Sequence, residues 1–130
     1  MILSKIKYII LLIVTASFLI SVNHVKAVPL SGNYTIGSGS GSNFSSFTQA
    51  IDTLSTYGVI SSVVFLVDTG MFNEQIVIPV ISGASATNTI TFIGHGDSTL
   101  LFYSPSSSNR PVVCFTASSH VIFENIRVEV

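Results

Sequence analysis

Six short runs rich in β-branched and aromatic residues follow one another after Gly58, at 63–67, 75–79, 89–93, 99–103, 112–116 and 120–130. Each is bounded by Gly, Ser, Asn or Pro, residues that end a strand by freeing or fixing the backbone. Such a series restricts the chain to a sandwich or to a coiled parallel stack. Residues 63–67, Val-Val-Phe-Leu-Val, are apolar on both faces and therefore belong between two layers. In the last run Ile126, Val128 and Val130 alternate with Arg127 and Glu129, so one face is apolar and the other solvated. The nearest approach to a tight hairpin turn is Gly96-Asp97-Ser98.

Ahead of the strands, Phe47, Ala50, Ile51, Leu54 and Tyr57 recur at helical spacing within 44–58, the one amphipathic helix of the sequence. Ser46 and Gln49 stand three apart as a capping box, and Gly58 supplies a stop. The opposite face is mainly Ser and Thr with Asp52, which suits water rather than a membrane surface. Residues 28–43 read as a flexible N-terminal segment: 30–36 has strand character, and Gly37-Ser-Gly-Ser-Gly-Ser42 has nothing to pack. No Gly-Lys-Ser/Thr follows these glycines, so they do not read as a phosphate cradle.

The N-terminus carries Lys5 and Lys7 ahead of an apolar stretch from Tyr8 to Val22, shorter than a membrane-spanning helix requires. Residues 1–27 are expected to be a signal peptide. Val25-Lys26-Ala27 provides modest side chains at the cleavage positions, so the cut falls between Ala27 and Val28, and Pro29 discourages continuation of the helix. Only 8% of the chain is charged, against roughly a quarter in ordinary soluble domains. After cleavage two arginines, Arg110 and Arg127, face six acids, hence a net charge of −4. That balance excludes a basic nucleic-acid surface. The single cysteine, Cys114, excludes an intrachain disulfide framework.

Between sandwich and coil, the block Val121-Ile-Phe-Glu-Asn-Ile-Arg-Val128 favours the coil, because Asn125 tolerates the left-handed conformation of a one-residue corner between two strand pieces. An antiparallel sandwich binding domain is the alternative.

Further residues carry a family likeness: Asn43-Phe-Ser-Ser-Phe-Thr-Gln-Ala-Ile-Asp52, Val64-Phe-Leu-Val-Asp-Thr-Gly70, Glu74-Gln-Ile-Val-Ile-Pro79, Ile90-Thr-Phe-Ile-Gly94 and His120-Val-Ile-Phe-Glu-Asn-Ile126. Over 30–130 the chain resembles the N-terminal part of pectin-lyase-like right-handed parallel β-helix proteins. The likeness is nearest to bacterial secreted and surface β-helix proteins, through Gly83 to Phe92, and more distant to pectin methylesterases. It implies an all-β fold: a right-handed parallel β-helix of about three incomplete coils over 59–130, with the helix of 44–58 as its cap and the signal peptide ahead. The catalytic coils of the esterases lie beyond the positions matched here, so no catalytic residue carries over, and the chain reads as an N-terminal fragment truncated at its C-terminus.

The residues point to no chemistry of their own. Asp52, Asp68, Glu74, Asp97, Glu124 and Glu129 are scattered without an Asp-x-Asp pair for a divalent cation. The histidines His24, His95 and His120 show no zinc spacing. Asp68 and Glu74 read as flanks of a turn at Gly70, Arg127 and Glu129 as a solvated pair, and Cys114 as a small core hydrophobe. No catalytic, cofactor-binding or metal-binding residue is assigned; Ser46, Gln49, Gly58 and Asn125 are structural. The expected function is a secreted or cell-surface module, non-catalytic in this stretch, for adhesion or carbohydrate contact. The enzyme alternative is a fragment of a pectin esterase or lyase relative. Expected partners are a polysaccharide or a cell-surface component, with no nucleic acid, no membrane after cleavage, and self-association through the open C-terminal coil.

Overall fold

A computed structural model describes Ile2, residues 28–104 and residues 111–130. Of the segment expected to be a signal peptide only Ile2 is described, and Ala27 of the expected cleavage bond and Arg110 lie outside the described residues; Val28 is exposed. Among the described residues seven strands and one helix follow in order: β1 (Leu30–Ile36), α1 (Phe47–Tyr57), β2 (Val59–Val67), β3 (Gly70–Asn73), β4 (Ile76–Ile78), β5 (Ile90–Phe102), β6 (Val113–Phe115) and β7 (Val121–Glu129). The class is all-β with one short helix, as the strand runs dictate.

Every described strand pairing is parallel. This overturns the antiparallel sandwich, and the physical reason is in the connections: each returns the chain over a whole circuit before pairing, which hairpin turns cannot do. β1, β2, β5 and β7 lie side by side, with Tyr34, Phe65, Phe92 and Phe123 in register. β3 pairs with the second half of β5, which in turn pairs with the second half of β7, and β4 with β6 forms a separate small sheet. The result is a curled parallel sheet.

Within the segment read as flexible, Leu30–Ile36 is a strand, held because its alternate residues pack inward while its backbone pairs with β2. The loop after it returns at Phe44, which bridges to Ile36; Phe44 donates its N–H to Thr35 (3.0 Å) and accepts from Gly37 (2.9 Å). The turn expected at Gly70 is strand β3 instead. Gly-Met-Phe-Asn has little strand propensity of its own and is extended because β5 supplies its partners, Gly70 opposite Thr99 through Asn73 opposite Phe102. Residues 89–93 and 99–103, read as two strands, form one, β5, and Gly96-Asp97-Ser98 is a bend inside it rather than a hairpin.

The core is a stack of rings and aliphatic side chains. Phe65 and Phe92 lie with centroids 4.8 Å apart and planes 13° apart, and Phe92 and Phe123 repeat this at 4.9 Å and 15°. Offset stacking of this kind adds roughly 0.5–1.5 kcal/mol per pair beyond area burial. Phe47 of α1 enters the same core against Phe72 (5.2 Å, edge-on) and Phe92 (5.7 Å). Phe47, Ala50, Ile51 and Leu54 are the buried face of the helix, whereas Tyr57, placed on the same face by its spacing, is exposed at the last turn.

Candidate functional site

The described residues bring the sequence-selected side chains to structural places. Ser46 is the N-cap of α1, its Oγ accepting from the N–H of Gln49 (3.1 Å). The reciprocal half of the capping box is shifted: Gln49 Oε1 accepts from the N–H of Ser45 (2.8 Å), one residue ahead of the cap. The amide reaches that far because Ser45 also offers its hydroxyl, at 3.1 Å. Gly58 ends the helix at φ 71°, ψ −166°, a region reserved for glycine, and a Cβ there would meet Ser82 O at 2.6 Å. Asn125 has φ 52° and marks the bend of β7 opposite the bend of β5, where Gly96 has φ 65°. The corner inferred from a single asparagine is therefore present in two neighbouring strands.

Glu74, read as a solvated turn residue, has a different role. Its carboxylate accepts from the N–H of Phe47 (3.1 Å), the N–H of Thr48 (2.8 Å) and the hydroxyl of Thr48 (2.7 Å). These are the first two amides of α1, which have no partner within the helix, and a negative charge there also complements the helix dipole. Its own N–H donates to Phe102 O (2.9 Å). Nothing local in the sequence announces this contact, since cap and helix lie more than a full turn of chain apart.

Thr99 is a second residue missed by sequence reasoning. It is fully buried, accepts from the N–H of His95 (2.9 Å) and donates to Asp68 O (3.2 Å), tying the β5 bend to the turn above it. Its signal is the threonine on the apolar side of the alternation Thr99-Leu-Leu101.

Cys114 corrects an expectation. It is half-buried and free, and it pairs in register with exposed Val77 while Val113 and Phe115 pair with buried Ile76 and Ile78. The register turns the thiol outward, so it is not a core residue. Arg127 and Glu129 form an ion pair on the outer face, both side chains well exposed, in the solvated setting expected of them.

Among the described residues no group of three or more His, Cys, Asp or Glu is placed to hold a metal ion. A shallow depression of about 410 Å³ runs along the polar face of α1 past Ser46, Gln49, Asp52, Thr53 and Thr56. A smaller one of about 190 Å³ lies between α1 and β4, lined by Thr48, Ile51, Asp52, Gln75 and Val77. Neither converges polar groups of opposite function in the way a catalytic pocket does.

The outer faces of β1, β2, β5 and β7 form a continuous surface. Register aligns Asn33, Val64, Thr91 and Ile122 in one row and Thr35, Leu66, Ile93 and Glu124 in the next. Leu66 and Ile122 are exposed, and Val64, Thr91 and Ile93 are half-buried. Rows of short polar and aliphatic side chains at the strand spacing of about 4.8 Å present a periodic surface. No described helix is long and apolar enough to cross a membrane. Comparison with family models, with curated proteins and with solved structures finds no match to this chain.

Proposed function

We propose that the chain is a right-handed parallel β-helix module, exported behind a cleaved signal peptide, whose outer strand face serves adhesion or carbohydrate contact at the cell surface or in the medium. The observation that carries the β-helix reading is the in-register row Tyr34, Phe65, Phe92 and Phe123, which returns at intervals of about 30 residues with parallel pairing throughout. Parallel strands joined by such crossovers are right-handed in nearly all cases, which supports the handedness. The resemblance in motifs to pectin-lyase-like proteins points the same way.

The functional part of the reading rests on the outer face. A polysaccharide is a repeating, largely uncharged or weakly acidic polymer, and a row of Thr, Asn and aliphatic side chains repeating from strand to strand can contact successive units with hydrogen bonds and apolar patches. In this stretch the module holds and presents rather than reacts.

The test is retention of the exported protein on a panel of insoluble and immobilised polysaccharides, including methylated and demethylated pectin. The reading expects retention on at least one of them, lost in Leu66→Asp and Thr91→Asp while circular dichroism stays unchanged. No retention on any polysaccharide or on intact cells refutes the contact role. Turnover of pectin refutes the non-catalytic role. Intact-mass measurement showing Met1 still attached refutes the cleaved signal.

A further inference from the structure

The outer face of β1, β2, β5 and β7 is uncharged in its middle and acidic at its sides. Leu66, Ile93 and Glu124 stand in one row, and Asp68 continues the outward alternation of β2 two residues past Leu66. Both acids are exposed. The Asp68 carboxylate lies over Gly37, where any Cβ would collide with it, so it leans to the β1 side while Glu124 stands on β7 at the other. Asp97 is exposed as well, at the bend of β5. With strands about 4.8 Å apart and a rise of about 3.3 Å per residue, Leu66 lies about 7 Å from Asp68 and about 10 Å from Glu124, and Ile93 about 5 Å from Glu124.

Among the described residues no lysine or arginine offsets these charges on the face. Residues 28–130 contain no lysine. Arg127 lies past the bend of β7, opposite Leu100, and is paired with Glu129. The polar groups between the acids are neutral: Asn33 is exposed and Thr91 half-buried, and an amide and a hydroxyl each donate and accept.

We propose that the polymer taken by this face is an uncharged polysaccharide, and that Glu124 and Asp68 reject polymers carrying carboxylates. The inference rests on the contact role proposed above and names the class of ligand for it. A carboxylate accepts hydrogen bonds and cannot donate them, so Glu124 can receive the hydroxyls of a neutral sugar, whereas against a uronate it sets acceptor against acceptor and charge against charge. The rows between the two acids lie within about 10 Å of one or the other, which is the screening length at about 0.1 M salt, so a polymer laid along them meets this repulsion unless salt removes it.

The experiment compares retention of the exported protein on matched immobilised polymers, methylated against demethylated pectin and cellulose against carboxymethyl cellulose. A chelator is present so that no divalent cation bridges carboxylates. The pH is 8, where imidazoles such as those of His95 and His120 are neutral. The expected result is stronger retention on the uncharged member of a pair at about 0.01 M salt, with the difference narrowing near 1 M as the screening length falls from about 30 Å to about 3 Å. Glu124→Lys shifts the ratio of the two retentions toward the carboxylated member by roughly twofold to fivefold, the effect of an exposed charge, and Glu124→Gln shifts it the same way by a smaller step. Asp52→Lys, an equal change of net charge on the polar face of α1, leaves the ratio in place. All three positions sit on exposed residues, and circular dichroism confirms folding. Equal or stronger retention on the carboxylated member at low salt overturns the inference while the contact role stands. A ratio that moves as far with Asp52→Lys as with Glu124→Lys overturns the assignment to this face. No retention on any of the four polymers overturns the inference, and the contact role itself then stands or falls on the wider panel.

Discussion

Truncation along the aromatic row tests whether the stack is built as described. Phe92 lies at its centre, 0% exposed, stacked on Phe65 at 4.8 Å and on Phe123 at 4.9 Å, with Phe47 also against it. Phe92→Ala removes a wholly buried ring and both stacked pairs, and the neighbours on either side are held by their own strands and cannot collapse into the gap. The expected cost is about 3–5 kcal/mol. Phe123 makes one stacked contact of this quality and is partly open to water, so Phe123→Ala has less area to return to solvent; about 1–2 kcal/mol is expected. Urea unfolding followed by far-ultraviolet circular dichroism measures both. For a domain of ordinary stability, about 5–15 kcal/mol, the first substitution consumes a large share and the second does not. Equal costs, or a larger cost at Phe123, refute the reasoning, because a wholly buried ring and a partly exposed one do not return the same area to water.

Three further outcomes follow from single contacts. Glu74→Ala should destabilise by about 1–2 kcal/mol and Glu74→Gln by less, since the amide retains an acceptor for the Phe47 and Thr48 N–H groups while losing the charge; thermal melts and the helical signal near 222 nm check this. Gly58→Ala should cost about 1–3 kcal/mol, because φ 71° with ψ −166° is closed to alanine and Ser82 O lies 2.6 Å from the added carbon, and the melt should shift without loss of the strand signal. Asn125→Val should cost about 1–2 kcal/mol at φ 52°, whereas Asn125→Gly should stay near neutral; a tolerated valine would show that the corner is not left-handed in solution.

What the sequence made legible was local. The helix showed itself through the spacing of Phe47, Ala50, Ile51 and Leu54, its start through Ser46 and its end through Gly58, because each signal lies within one turn of the residue it governs. Asn125 betrayed a corner because few residues adopt its backbone conformation. What stayed hidden was set at long range. Gly70–Asn73 carries no strand pattern and is extended by its pairing with β5. Cys114 looked like core because its neighbours are apolar, and only the register with Val77 turns it outward. The parallel direction of the strands is a property of the connections, which periodicity within a strand does not encode.

Glu74 shows why the legible and the hidden parts are not independent. An isolated helix of 11 residues is marginal in water, below the length at which propagation repays nucleation. Its Thr53 and Thr56 hydroxyls even turn back onto the carbonyls of Gln49 and Asp52, at 2.8 Å each, a habit that favours bending over length. The amphipathic pattern alone therefore does not make α1 stable. It becomes stable when β3 ends at Asn73 and delivers the Glu74 carboxylate to its first amides while Phe72 meets Phe47 edge-on. Since β3 is itself extended only by pairing with β5, the helix, the β3–β4 corner and the central strand must form together. A sequence that reads as a helix followed by independent strands thus depends on contacts between them, and the outer rows of short polar and aliphatic side chains are carried on that shared frame.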